Sequence, residues 1–260
     1  MRGGISMAFA DLHSPIITIE GLKKSFNGQL VLDGLDLEIA NGETVVILGA
    51  SGSGKSVFIN TLVGLLEPDA GRIVIDGQEV TAFTRDSEWD SLRLKIGFLF
   101  QGSALYDSLT IGENISFVLE HHSDLKESEI RNLVRQKLNM VGLEKVEDQL
   151  PAELSGGMQK RAALARAIAF DPRIIIYDEP TTGLDPIRAK QISELIHQLQ
   201  RELNVTSIVV THDLVCASIV ADKVALLMNG RFLFVGTMEE MIHNDNEYVR
   251  EFLEASSFRS

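Results

Sequence analysis

Gly49-Ala-Ser-Gly-Ser-Gly-Lys-Ser56 is the stretch that decides how this chain folds. It follows Thr44–Leu48, a continuous apolar run suited to a strand buried on both faces of a parallel sheet. It precedes Phe58, Ile59, Leu62, Val63 and Leu66, an apolar set at helical spacing. Strand, glycine-rich turn and helix is the setting in which such a loop cradles phosphates. Gly49, Gly52 and Gly54, with Ala50, Ser51 and Ser53 between them, let successive backbone N–H groups curl round an anion. The helix N-terminus adds the positive end of its dipole. Lys55 is placed to reach the outer phosphates and the Ser56 hydroxyl to ligate Mg²⁺, so a nucleoside triphosphate is the implied ligand.

Outward from that loop the chain divides by pattern. Four pairs, Asn27-Gly28, Asn41-Gly42, Asp76-Gly77 and Asn229-Gly230, lie beside β-rich runs and predict hairpins. Residues 16–20, 35–39 and 72–75 read as further strands of a strand-rich front. From 113 to 169 the pattern turns helical, through Leu133, Leu138, Met140 and Val141 to an Ala-rich run at 161–169, and reads as an insertion. Buried-strand character returns at 173–177 and 206–210, separated by a helix with Ile192, Leu195, Ile196, Leu199 and Leu203 on one face. Strand, helix, strand implies a parallel sheet. Thr237-Met-Glu-Glu240 is a capping box, expected to open one C-terminal helix running to about Glu254. The pattern predicts an α/β chain in which one mixed sheet with a helical lobe takes up nearly all residues.

Composition narrows the partners. Among 260 residues, 37 acids against 24 bases leave a net charge of −13, a field that repels phosphate backbones, so no nucleic-acid partner is expected. Cys216 is the only cysteine, which removes internal disulfides and thiolate metal clusters and fits a reducing compartment, the cytosol by default. The longest apolar stretches, 44–50 and 224–228, fall far short of the roughly 18–20 residues a bilayer span needs. The first 15 residues read as a flexible tail without the features of a secretory leader.

Two further constellations bear on chemistry. Asp178-Glu179 ends the apolar run at 173–177, and carboxylates at a C-terminal strand edge stand where open α/β sheets bind ligands. Asp178 would hold Mg²⁺ through its water shell and Glu179 would orient and deprotonate an attacking water; the alternative is that Asp-Glu-Pro180 only ends a strand. His212 follows the run at 206–210 and so shares that edge, where an imidazole can touch a γ-phosphate. The histidines at 13, 121, 122, 197 and 243 lack partners at ligand spacing and read as surface residues. Leu154-Ser-Gly-Gly-Met-Gln159, comprising Leu154, Ser155, Gly156, Gly157, Met158 and Gln159, precedes the Ala-rich helix. It reads either as a second anion site or as an ordinary loop and N-cap.

The ordered set of residues 49–56, Gln101, 154–159, Asp178-Glu179, Thr182-Gly-Leu-Asp185 and His212 resembles the ABC-transporter ATPases over about residues 16–236. The resemblance implies a P-loop ATPase domain with a mixed β-sheet core, an N-terminal antiparallel β subdomain and an α-helical subdomain inserted at 102–170. A C-terminal helix and tail follow at 237–260. It also implies Phe26 as the aromatic on which adenine stacks, 49–56 as Walker A with Val57 beside it, and Gln101 as the Q-loop glutamine that joins Ser56 and Asp178 around Mg²⁺. It makes 154–159 the ABC signature, Asp178 and Glu179 Walker B, Asp185 the D-loop aspartate and His212 the switch histidine. Val57 departs from the frequent Thr, which removes one hydroxyl contact to the phosphates. The signature in this family completes the site of a partner subunit, so a homodimer sandwiching two ATP molecules is implied, working on a separate integral-membrane permease. Leu105, Tyr106, Leu109, Ile111, Ile115 and Phe117 either line the groove for that permease or fill the helical lobe's core.

Phe100-Gln-Gly-Ser-Ala-Leu-Tyr-Asp-Ser-Leu-Thr110, Glu113-Asn-Ile115 and the ending Val249-Arg-Glu-Phe-Leu253 resemble the MlaF-like ATPases of Mla and Mce-type phospholipid transporters. That resemblance implies phospholipid transport, a lipid-binding Mce-domain partner and a place on the cytoplasmic face of an inner membrane. An importer ATPase for a small polar solute such as an amino acid would share every motif. A non-transport ABC protein is the third reading, disfavoured because neither a tandem second ATPase unit nor a long coiled-coil insert is visible.

Overall fold

Two left-handed glycines explain how the front strands stay in phase with their core. A computed structural model of the chain describes residues 15–255. In β1 (Pro15–Phe26) and β2 (Gln29–Ala40), Gly21 (φ 58°) and Gly34 (φ 71°) sit at register shifts. These bulges let Ile17, Ile19 and Leu22 of β1 and Leu32, Leu35, Leu37 and Ile39 of β2 all be buried despite broken alternation. The expected tail at 1–15 lies outside the described residues except for Pro15, which pairs with Ala40. β4 (Ala70–Ile75) adds antiparallel to β1, and β5 (Gln78–Glu79) to β4, giving the order β2-β1-β4-β5.

The second sheet comprises β3 (Thr44–Leu48), β6 (Ile96–Leu99), β7 (Ile174–Asp178), β8 (Thr206–Thr211), β9 (Lys223–Met228) and β10 (Arg231–Gly236). Its order is β10-β9-β3-β8-β7-β6, all parallel except the edge strand β10. There are therefore two sheets where hydrophobic pattern alone predicts one. The reason is the Asn41-Gly42 turn. The other three pairs form hairpins in which the Asn or Asp also takes positive φ, 50–52°, the type I′ signature. At 41–42 only the glycine is left-handed, and the turn, closed by Glu43 N–H to the Ala40 carbonyl at 3.1 Å, carries the chain from one sheet into the other.

The helices are α1 (Lys55–Leu62), α2 (Asp86–Arg93), α3 (Ile111–His122), α4 (Glu127–Met140), α5 (Gly156–Ala167), α6 (Pro186–Leu203), α7 (Leu214–Val220), α8 (Met238–Ile242) and α9 (Glu247–Ala255). The continuous apolar run of β3 faces two cores. Val46 and Leu48 share a core with α3–α9, and Val45 and Ile47 one with α1 and the antiparallel sheet. The expected single C-terminal helix is two. The Thr237 capping box forms, but Asn244 and Asn246 side chains accept from the amides of Asn246 (2.9 Å) and Tyr248 (3.0 Å) and divert the backbone between α8 and α9. No helix among the described residues is long and apolar enough to cross a membrane.

Candidate nucleotide site

The parallel strands end at one edge of the six-stranded sheet, where an open α/β fold gathers its functional loops. β3 leads into 49–56, β6 into Gln101, β7 into Asp178-Glu179 and β8 into His212. Ala50, Ser51, Gly52, Lys55, Ser56, Gln101, Asp178, Glu179 and His212 line a single cleft of about 1160 Å³ there. In the loop, Gly52 (φ 80°) and Gly54 (φ 105°) take conformations that exclude most side chains. A Cβ on Gly49 would lie 2.5 Å from Ser53 Oγ and 2.6 Å from the Leu227 carbonyl, so this position must be glycine. Ser53 Oγ itself is buried without a hydrogen-bond partner among the described residues.

Lys55 Nζ donates to the carbonyls of Gly49 (2.7 Å) and Ala50 (3.0 Å) and stands 3.8 Å from Glu179 Oε1. Burial pulls its pKa down, against the pull of Glu179 and Asp178. Asp178 is held above the ordinary carboxylate range, first by burial and then by the charge of Glu179. Glu179 has φ 48°, and its amide continues the sheet to the Val210 carbonyl at 2.8 Å. Its carboxylate accepts from Thr182 and Thr211 hydroxyls, each at 3.3 Å, and lies 2.9 Å from His212 Nδ1. Thr182 and Thr211 were not singled out as holding groups by the sequence, nor was Lys160, whose buried ammonium donates to the Gln101 carbonyl.

The oxygen donors Ser56, Gln101 and Asp178 stand on this one cleft, and the half-buried, under-compensated Asp178 carboxyl among them suits a hard divalent cation. No group of three His, Cys, Asp or Glu that could hold a metal occurs among the described residues.

The remaining expected residues stand apart from the cleft. Val57 points toward the core beside Phe58. Phe26 is 41% exposed at the end of β1, with Lys24 Nζ 5.5 Å from its ring centroid. Ser155 caps α5 by accepting from Met158 N–H at 3.4 Å, and the Gln159 amide donates to the carbonyls of Pro151 (2.8 Å) and Leu154 (3.3 Å). Leu154 is buried and Met158 packs on the core, which leaves Gly156 and Gly157 with their nearest obstructions at 4.0 and 3.6 Å. Asp185 caps α6 through the amides of Ile187 (3.1 Å) and Arg188 (3.0 Å). The groove expectation divides. Ile111 and Ile115 are fully buried and Leu105 packs on the core, whereas Tyr106 and Phe117, ring centroids 5.6 Å apart, line a second depression of about 500 Å³ with Phe100 and Arg166.

Residues 32–182 match the family model described as ABC transporter. The chain belongs to the ABC transporter family. This ABC ATPase is 41% identical over 91% of its length to the probable ribonucleotide transport ATP-binding protein mkl of Mycobacterium leprae, covering 68% of that protein. It is 37% identical to the intermembrane phospholipid transport system ATP-binding protein MlaF of Haemophilus influenzae, over 95% of this chain and 93% of that one. Among solved structures, the dimeric ATP-binding cassette MJ0796 in a post-hydrolysis state with ADP and Pi superposes with a TM-score of 0.78. The two are 32% identical, over 85% of this ABC ATPase and 98% of that chain.

Proposed function

We propose that the chain is the ATP-binding and ATP-hydrolysing subunit of a transporter that moves phospholipid between membranes through a separate integral-membrane permease. The observation that carries the cargo is the end-to-end similarity to MlaF, 95% of this chain against 93% of that protein. The geometry that supports hydrolysis is the Glu179 carboxylate fixed by two threonines and His212 at 3.3 Å or less, with the Lys55 ammonium 3.8 Å away. Lys55 exchanges the Gly49 and Ala50 carbonyls for the outer phosphates of ATP. Glu179 takes the proton of the attacking water, and His212, bonded to that carboxylate, holds it in line and reaches the γ-phosphate. Ser56, Asp178 and Gln101 supply the donors for Mg²⁺, whose contribution is to screen the phosphate charge. The hydrophobic ring of Phe26 stacks on adenine.

A second copy of the chain completes each site. Ser155, Gly156 and Gly157 do not line their own cleft; Ser155 and Gly156 are exposed and Gly157 half-buried at the start of α5, where first-turn N–H groups and a hydroxyl suit a phosphate presented by a partner. Asp185 sits between signature and cleft in this arrangement, Leu184 approaching Gly156 on one side and lining the cleft on the other. The permease docks in the depression formed by Phe100, Tyr106, Phe117 and Arg166. The similarity to MlaF supports a place on the cytoplasmic face of an inner membrane, beside an Mce-domain lipid-binding subunit.

The second reading is an importer of a small anion. It is favoured by 39% identity to the probable sulfate/thiosulfate import ATP-binding protein CysA of Chlorella vulgaris over 91% of this chain and 98% of that protein. Purification of the chain from detergent-extracted membranes decides between them. Co-purification of a permease with bound phospholipid is expected; a permease that recruits a sulfate-binding protein and carries no lipid would replace the first reading by the second.

A further inference from the structure

α5 is tied to the loop behind Gln101 by two cations. The Lys160 ammonium, on a side chain only 5% exposed, donates to the Gln101 carbonyl. One and two thirds turns further on, Arg166 donates to the carbonyls of Ser103 (2.9 Å) and Ala104 (2.7 Å). Ser103 (φ 64°) and Ala104 (φ 47°) are consecutive non-glycine residues in the left-handed region, a conformation that persists only where surroundings impose it. A lysine this buried costs desolvation, and burial indeed pulls its pKa down, opposed by Asp178 and then Glu179. Its charge therefore faces the two acids of the cleft while its hydrogen bond holds the backbone from which the Gln101 side chain enters that cleft.

We propose that Lys160 is a positioning residue for ATP hydrolysis. Its ammonium, with Arg166 at the far end, clamps the carbonyls of residues 101, 103 and 104 to α5 and so fixes where the Gln101 side chain stands. The proposal rests on the reading of Gln101 as a residue of the hydrolytic site. A methionine at 160 keeps the buried stem and deletes the charged donor. Lys160→Met then lowers kcat of the full chain roughly tenfold, the size expected when one charge-assisted hydrogen bond stops holding a reacting group. KM for ATP stays within about twofold, because Lys55 and the 49–56 loop are untouched.

The deciding experiment is a double-mutant cycle with Gln101→Ala, read as steady-state Mg-ATP hydrolysis at matched folded fractions. A clamp that acts only through the Gln101 side chain has nothing left to position once that side chain is gone. Lys160→Met is therefore expected to cost less than about twofold in the Gln101→Ala background. Losses that multiply, or a Lys160→Met enzyme with the parent's kcat while Gln101→Ala is impaired, overturn the clamp and leave the Gln101 reading standing. A Gln101→Ala enzyme with the parent's kcat overturns both. Should Lys160→Met fail to fold, Arg166→Met cuts the other end of the clamp and is held to the same cycle and the same criteria.

Discussion

Glu179→Gln separates chemistry from binding because of what surrounds the carboxylate. The amide keeps the shape of the side chain, its oxygen still accepts from Thr182 and Thr211, and its N–H₂ can donate to His212. Electrostatically, two effects oppose each other. Lys55, 3.8 Å away, loses an attraction of about 4 kcal/mol by Coulomb's law at an effective dielectric of about 20. Asp178 loses the repulsion that Glu179 adds to burial in raising its pKa, and Lys55 retains Asp178 as a counter-charge. The fold should therefore keep its stability to within about 1–2 kcal/mol, much of the lost attraction having gone to offset desolvation. Hydrolysis, in contrast, loses its base, a deficit of roughly 10²–10⁴ in kcat or about 3–5 kcal/mol. Phosphate release, nucleotide titration and a thermal melt on the same preparation read the three quantities separately. A variant that keeps more than about a tenth of the parent kcat would refute the base assignment. One that loses activity together with its thermal transition would show that Glu179 holds the fold and not the water.

Four other outcomes follow from the same geometry. Lys55→Ala should weaken ATP binding at least about tenfold by titration, since the phosphates lose their charge-assisted donor; an unchanged affinity contradicts the loop assignment. Lys55→Ala and Ser155→Ala chains, each inactive alone, should recover hydrolysis when mixed, because one composite site of the mixed dimer is whole; no recovery at any ratio argues against shared sites. Asp69 is held down at about 2 by the side-chain bonds of Lys24 and Ser25, next to the strand end that carries Phe26. Its folded pKa lies below the unfolded 3.8, so its stabilisation is present above 3.8 and lost as pH falls through about 2. The melting temperatures of the parent and Asp69→Asn should differ at neutral pH and converge toward that limit. The Cys216 thiol is fully buried and pushed up to about 12, so it should resist a thiol reagent at mildly alkaline pH until the chain is denatured; stoichiometric labelling of the native protein would contradict that packing.

The parts of the molecule that were legible in the sequence are those whose conformation is dictated within a few residues. The 49–56 loop carries its own glycine positions, the three type I′ pairs their own positive φ, and the 237–240 box its own cap. β3, β7 and β8 read as strands because each is apolar on both faces. β6 escaped that reading. It is four residues long and centred on Gly97, which looks like a weakness in a strand until α5 is in place, when a Cβ there would lie 2.3 Å from the Ala167 carbonyl. The glycine is required by a helix 70 residues away, and no local window contains that helix. Thr211 and Lys160 are hidden for the same reason. Each looks like an ordinary polar residue in its own segment, and each meets a group 32 or 59 positions distant that the fold brings alongside; Thr182 is only three residues from Glu179, and its contact follows from the positive-φ turn at Glu179.

Distance in sequence also separates the two sides of the site. The groups proposed to grip phosphate come from one continuous loop and are readable as a motif, whereas the groups that hold the Glu179 carboxylate come from two segments, the turn after β7 and the end of β8. A substitution in the loop acts on nucleotide affinity directly. A substitution at Thr211 changes no group that touches nucleotide, yet it removes one of the two hydroxyl bonds that fix Glu179 and the acceptor for the Asp213 amide at 3.0 Å. Thr211→Val keeps the buried volume, so its effect should fall on kcat, several-fold to about tenfold, with KM for ATP little changed. Equal losses in affinity and turnover would mean that the base and the phosphate loop are not independently supported, and that the division between local grip and distant support is wrong.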